Sequence, residues 1–197
     1  ALSELWVGPE FALGYRREGD VAFLRQLGAE HGYAVHLIDL LQDGDPEPIS
    51  STAIRKALQA GDVEQARAWL GRGYTVGGMV VRGDRRGHTI GFPTANIAVW
   101  AQQVIPANGV YAGWATLDGR RYMAVTNVGV RPTIDGQNVT VEAHLLDFDG
   151  DLYGQQLQLT FEKRLRAEMK FSDIAALVAQ IRADAEAGRA YLSAVSP

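Results

Sequence analysis

GVYAGWATLDGRRYMAVTN, residues 109–127, reads as two strand runs, Val110 to Thr116 and Tyr122 to Asn127, joined across Asp118-Gly119. An Asp-Gly pair between two such runs is a strong signal for a tight hairpin, because both central turn positions need positive φ. Working outward, Thr75 to Val81, Val139 to Leu146 and Gln155 to Leu165 carry the same strand signature, with Asp135-Gly136 and Asp149-Gly150 as further turns. Many short strands without helices between them predict a barrel or sandwich. The chain then closes on an amphipathic helix, with Ser172 as its expected cap and Ile174, Leu177, Val178 and Ile181 as a stripe that should pack on the barrel.

Upstream of Tyr74 the pattern differs. Leu5 to Val7 is a short apolar run ended by Gly8-Pro9. Asp20 caps a helix with Val21, Leu24 and Leu27 at helical spacing, stopped by Gly32, and Tyr33 to Asp39 follows as a strand. Two short helices come next, one from Ser50 and Ser51 to Gly61, the other from Asp62 to Gly71 with Gln65 in the capping-box position. This alternation predicts an α/β part. The expected boundary lies at Arg72 to Thr75, dividing the chain into residues 1–73 and 74–197.

Composition narrows the function classes. A chain that is 47% hydrophobic and 21% charged is globular rather than disordered or fibrous. A net charge of −4 weighs against a coat for nucleic acid or for an anionic membrane, while leaving room for a local basic loop. With no cysteine there are no disulfides, thiolate ligands or cysteine nucleophile, and a cytoplasmic location is expected. Residues 87–117 carry no charged side chain, but Pro93, Asn96, Gln102, Gln103, Pro106 and Asn108 interrupt the run. Buried strand and tight loop are therefore expected there rather than a membrane span. The opening ALSELWVGPE lacks the basic and apolar regions of a leader and turns strand-like by Leu5, so the chain is expected to begin inside a fold.

The chemistry concentrates in Arg82 to Asn96, RGDRRGHTIGFPTAN. Gly83, Gly87 and Gly91 allow close backbone approach, and Arg82, Arg85 and Arg86 set positive charge beside them, as a polyphosphate site requires; a glycine-rich hairpin with solvated arginines has the same composition. Pro93 fixes its own φ and pushes Phe92 extended, so a non-helical segment is expected in which Thr94 and Asn96 point the same way. Their oxygens, with phosphate oxygens and water, match the hard donor shell of Mg²⁺, or they hydrogen-bond a turn; both readings stand at this level. No GxxxxGK[ST] and no protein-kinase catalytic loop is present, so any phosphoryl transfer uses another scaffold. In VTVEAHLLDF, 139–148, Val139, Val141, Ala143 and Leu145 alternate with Thr140, Glu142 and His144. Glu142 is either a carboxylate on a wet strand face or a proton acceptor at a ligand mouth. His144 is given no role.

Five motifs occur in the order of one family: GFPTAN at 91–96, NGVYAG at 108–113, NVGVRPT at 127–133, VEAHLLDFDGDLYG at 141–154 and RLRAEMKF at 164–171. Across Tyr74 to Leu192 the chain resembles the riboflavin kinase module of bacterial bifunctional riboflavin kinase/FAD synthetases. Upstream, VGPEFALGYRREGD and ISSTAIR at 49–55 resemble the second half of the partner FMN adenylyltransferase module, with Glu10 and Leu13 where that family usually has Asp and Phe. That module's HxGH motif is missing, and His31, His36, His88 and His144 do not supply it.

The resemblance implies an incomplete nucleotidyltransferase-like α/β fragment over 1–73, then an antiparallel Greek-key β-barrel with a C-terminal helix over 74–197. It implies transfer of the ATP γ-phosphate to the 5′-hydroxyl of riboflavin, giving FMN and ADP with Mg²⁺, and FAD synthesis by a longer protein. Glu142 matches the general base, and Thr94 and Asn96 the metal ligands. Gly83, Arg86, Gly87 and Gly91 join these two on the nucleotide, while Arg131, Arg166, Met169 and Phe171 fall near the flavin. Ser50, Ser51, Thr52 and Arg55, at a helix N-terminus, match the adenylyltransferase phosphate site; an ordinary cap beside a surface arginine is the plainer account. The rival class is a non-catalytic nucleotide- or RNA-binding barrel. It needs basic and aromatic residues spread over a face, whereas the arginine cluster here is brief. Small-molecule substrates are expected, with neither nucleic acid nor membrane as partner.

Overall fold

A computed structural model describes residues 2–38, 49–83, 87, 90–133 and 136–195, the side chains of 131–133 and 136–138 excepted. The chain divides into two compact units, Ala1–Ser50 and Ser51–Pro197. In the first, β1 (Glu4–Val7) pairs in parallel with β4 (Ala34–Leu37), and α1 (Val21–His31) lies between them in sequence. The Asp20 carboxylate caps α1 by accepting from the Phe23 amide at 2.8 Å, and Gly32, at φ 78°, ends it. A two-residue antiparallel pair, β2 (Ala12–Leu13) with β3 (Gly19–Asp20), was too short to leave a strand pattern in the sequence.

The second unit opens with α2 (Ser51–Ala60) and α3 (Val63–Leu70). The Asp62 carboxylate accepts from the Gln65 amide at 2.9 Å, as expected of a cap. The Asp62 amide, however, donates to the Ala57 carbonyl at 2.9 Å, so the end of α2 takes the place of the second half of the capping box.

Six antiparallel strands then close a barrel: β5 (Tyr74–Val81), β6 (Ala95–Ala98), β7 (Gly109–Leu117), β8 (Arg120–Thr133), β9 (Gly136–Leu145) and β10 (Gln156–Arg166), in the spatial order β10-β5-β6-β9-β8-β7. The β7–β8 turn is Asp118-Gly119, with positive φ at both residues. β6 was missed among the expected strands: it has four residues, and only its partners β5 and β9 reveal it. The β6–β7 and β9–β10 connections lead to strands that are not neighbours, in the manner of a Greek key.

Strand parity sorts the two faces. Val76, Val80, Ala95, Tyr111, Val128, Val141, Ala143, Leu157, Leu159 and Phe161 point inward and are nearly all sealed from solvent, with Leu58, Val63 and Ala66 of α2 and α3 in the same core. Each large side chain removed from water there contributes about 1.5–3 kcal/mol. Tyr111 meets Phe161 edge-on at 5.3 Å and donates its hydroxyl to the Ala107 carbonyl, and burial pushes its pKa up.

The closing helix, α4 (Ile174–Ala194), runs along the outer wall. Its cap is Asp173 rather than Ser172. The Asp173 carboxylate accepts from the Ala176 amide at 2.8 Å and from the Ser172 hydroxyl at 3.0 Å, and these bonds lower its pKa. Leu192 seals the far half of α4 against Ala112 and Trp114. The expected stripe behaves differently: Ile174 is 67% exposed, and Leu177 and Ile181 line a cavity between helix and barrel.

Candidate active site

Register carries five residues into one row across the outer wall. Arg166 of β10 pairs with Val110 of β7, Val110 with Asn127 of β8, Asn127 with Glu142 of β9, and Glu142 with Asn96 of β6. Residues paired in register project to the same face, so a row of four polar side chains with Val110 among them stands on the outer face, while its sequence neighbours Tyr111, Val141 and Ala143 fill the core. Glu142 is thus on the outer face, and what distinguishes it from a surface carboxylate is the roof above it.

That roof encloses a cavity of about 350 Å³. Its floor includes Val110, Val125, Asn127, Glu142 and His144. Arg166, Glu168, Met169 and Phe171 form one wall, Leu177, Ile181 and Asp184 of α4 another, and Gly87, Ile90, Phe92 and Thr94 the rim. A largely apolar pocket with a few convergent polar groups is the usual form of a small-molecule site. Arg166 is fixed by a fork. Its Nε donates to both Asp184 oxygens, at 3.0 and 3.1 Å, and its Nη2 to Oδ2 at 2.8 Å, while Gln180 donates to the same carboxylate at 2.9 Å. Arg166 Nη1 also holds the Ala167 carbonyl at 2.9 Å, and the guanidinium lies over the Phe171 ring at 5.8 Å. Glu168 lies across Gly129, where a Cβ would stand 2.5 Å from its Oε1.

A second cavity, about 220 Å³, lies between β6, β9 and the 148–153 segment, with Phe148, Leu152 and Tyr153 among its walls. Thr94 lines both cavities, and its hydroxyl stands 3.5 Å from Glu142 Oε2. Gly83 packs so closely on the Asn96 amide that a Cβ would come within 2.4 Å. Gly87 accepts the Phe92 amide at 2.8 Å across a turn in which Gly91 takes φ 84°.

The structure therefore brings Gly87, Thr94, Glu142, Arg166, Met169 and Phe171 to one cavity, with Gly83 and Asn96 adjoining it. Arg86 lies outside the described residues, and so does the Arg131 side chain. Ser51 and Thr52 occupy the first turn of α2, where Arg55 donates to the Ser51 hydroxyl at 3.3 Å; neither they nor Ser50 line either cavity. Sequence reasoning missed Asn127, Glu168 and Asp184, and passed over His144. Strand parity with Glu142 was a signal for His144, Glu168 falls inside the motif at 164–171 and Asn127 opens the one at 127–133; the docking of α4, which places Asp184, leaves none.

A family model for riboflavin kinase matches residues 70–192, the barrel and its closing helix. The chain belongs to the riboflavin kinase family. It is 39% identical over 194 residues to a bifunctional riboflavin kinase/FMN adenylyltransferase of Escherichia coli, covering 98% of this chain and 61% of that protein. A protein of the same description from Pseudomonas fluorescens is 38% identical, at 96% and 60% coverage. The chain thus spans about 60% of the length of these relatives. A crystal structure from Streptococcus pneumoniae, described as a macrolide-efflux protein, superposes with a TM-score of 0.81 and 33% identity, covering 92% of this chain and 58% of that one. The family model and the curated relatives, not that description, carry the assignment. Among the described residues no helix is long and apolar enough to cross a membrane.

Proposed function

We propose that the chain transfers the ATP γ-phosphate to the 5′-hydroxyl of riboflavin, giving FMN and ADP. The observation that carries this reading is the meeting of two cavities at Thr94, with the Glu142 carboxylate 3.5 Å from the Thr94 hydroxyl. Donor and acceptor must approach one point from different sides, and here one hydroxyl lines both sides. The flavin fits the larger, more apolar cavity, against Arg166, Met169 and Phe171. The nucleotide fits the smaller one, with its phosphates toward Thr94, beside which Gly87 stands on the rim of the larger cavity; the family resemblance assigns Gly83, Arg86 and Gly91 to the same phosphates. In the reaction the ribityl O–H bond breaks, Glu142 takes the proton, the freed oxygen bonds the γ-phosphorus, and ADP leaves with the electron pair of the bridging bond.

Mg²⁺ belongs to the same reading. Among the described residues no cluster of three or more His, Cys, Asp or Glu is placed to hold a metal. Thr94 and Asn96 offer neutral oxygen donors beside Glu142, a set suited to a hard cation that arrives on phosphate oxygens. Bound there, it would neutralise charge on the transferring phosphoryl group. Thr94→Ala and Asn96→Ala are therefore expected to raise the Mg²⁺ requirement while leaving riboflavin binding in the absence of nucleotide largely intact. Coincident Mg²⁺ titration curves for wild type and both variants would remove the ligand assignment.

Residues 1–73 are read as the C-terminal part of an FMN adenylyltransferase domain, with Ser50, Ser51, Thr52 and Arg55 as its phosphate site, and 74–197 as the kinase domain, in a cytoplasmic protein. The deciding experiment incubates the chain with riboflavin, ATP and Mg²⁺ and separates the products. FMN with ADP is expected; absence of FMN counts against the reading, and FAD with pyrophosphate would show adenylyl transfer without an HxGH motif. Gly129→Ala probes the flavin side. The new methyl displaces only the flexible end of Glu168, so stability should change by less than about 0.5 kcal/mol while riboflavin affinity falls. Unchanged affinity would place Glu168 outside the binding wall.

A further inference from the structure

Thr94 stands one residue outside the ladder that should hold it. The β6–β9 pairing begins at Ala95, opposite Ala143. Pro93 has no amide proton to donate, and the Phe92 amide is already committed to the Gly87 carbonyl. What extends the hold of β9 by one position is a side chain: His144 Nδ1 stands 2.8 Å from the Pro93 carbonyl, and its ring meets Phe92 edge-on at 5.5 Å.

We propose that His144 is a positioning residue, whose Nδ1–H donates to the Pro93 carbonyl and thereby places the Thr94 hydroxyl at the junction of the two cavities. The inference rests on the phosphoryl-transfer reading of this site. A carbonyl oxygen only accepts, so the Nδ1 nitrogen must carry the proton. The bond closes on the peptide immediately before Thr94, so losing it frees the Pro93-Thr94 unit to rotate without disturbing the ladder from Ala95 onward. Neither β9 nor the core depends on it: Ala143 and Leu145, the neighbours of His144, hold the strand in place from the inner face. Its effect should therefore fall on the nucleotide side of the reaction, where the Thr94 hydroxyl is used.

Two substitutions separate the hydrogen bond from the ring. His144→Phe keeps an aromatic ring against Phe92 and removes the donor; His144→Asn removes the ring and keeps an amide N–H close to the Nδ1 position. The measurements are steady-state FMN formation with MgATP and riboflavin varied separately, riboflavin affinity by fluorescence, and MgATP affinity by calorimetry without riboflavin. The expected result for His144→Phe is a fall in kcat/KM for MgATP of roughly tenfold to a hundredfold, as misplacement by an ångström produces, larger than any change in riboflavin affinity, which the ring's place on the floor of the larger cavity allows. His144→Asn should recover most of that loss. The proposal is overturned if His144→Phe matches wild type, if the asparagine variant is as impaired as the phenylalanine one, or if riboflavin affinity falls while the MgATP parameters hold. A wild-type chain that forms no FMN would count against phosphoryl transfer itself. The calorimetric comparison would still decide the role of His144, because it needs no turnover.

Discussion

Replacing Glu142 with glutamine is expected to lower kcat for FMN formation by roughly a hundredfold to ten-thousandfold, the usual range for loss of a general base. The substitution keeps the size of the side chain and most of its hydrogen-bonding capacity, so the fold and riboflavin affinity should survive. The inner neighbours Val141 and Ala143, almost wholly buried, anchor the strand independently of position 142. The quantities to compare are kcat, riboflavin affinity by fluorescence and thermal midpoint on one preparation. A fall in kcat of less than about tenfold would mean that the hydroxyl proton leaves to phosphate or water, as a loose phosphoryl-transfer transition state permits.

Asp184→Ala is expected to have the largest effect on stability. Asp184 and Arg166 leave only 7% and 18% of their side chains exposed, and the carboxylate is also the acceptor for Gln180. Removing one partner of such a pair strands the other charge and typically costs about 3–5 kcal/mol. Because Arg166 borders an open cavity and can recruit water, the lower end applies, about 3 kcal/mol, or a midpoint roughly 10 °C lower for a unit of this size. The paired substitution Arg166→Met with Asp184→Leu should restore much of the midpoint, since a buried ion pair is rarely worth more than good apolar packing. Riboflavin binding should stay weak in that double variant, because the fork that holds Arg166, Ala167 and Phe171 together is gone. A midpoint for Asp184→Ala within about 3 °C of wild type would show that the fork contributes little to holding α4 against the barrel.

Local chemistry made much of this molecule readable from the chain alone. Asp-Gly at 118–119, the alternation from Val139 to Leu145, and the caps at Asp20 and Asp62 each act within a few residues, and each appears where those residues place it. The same holds for the shared face of Thr94 and Asn96 around buried Ala95. The exceptions are also instructive. β6 was invisible because four residues carry too little pattern without partners, and Ser172 lost the cap to Asp173 because a charged oxygen one residue on reaches the Ala176 amide better.

What the sequence could not express is which residues become neighbours across strands and between helix and wall. Glu142 was legible as a candidate, but whether its face was open water or a roofed cavity depended on where α4 docks, which no local rule sets. Register, a long-range property, set Arg166, Val110, Asn127, Glu142 and Asn96 in one row. The near half of the α4 stripe turned toward a cavity instead of sealing it, because Leu192 and the Arg166–Asp184 fork hold the helix at its own distance from the barrel. Sequence alone therefore determined the five longer barrel strands, the alternation of faces along β9, and the residue types able to handle phosphate. Tertiary structure decided that the outward face carries the cavities, because only barrel closure and helix docking bring a carboxylate, a hydroxyl and two cavities to the same point.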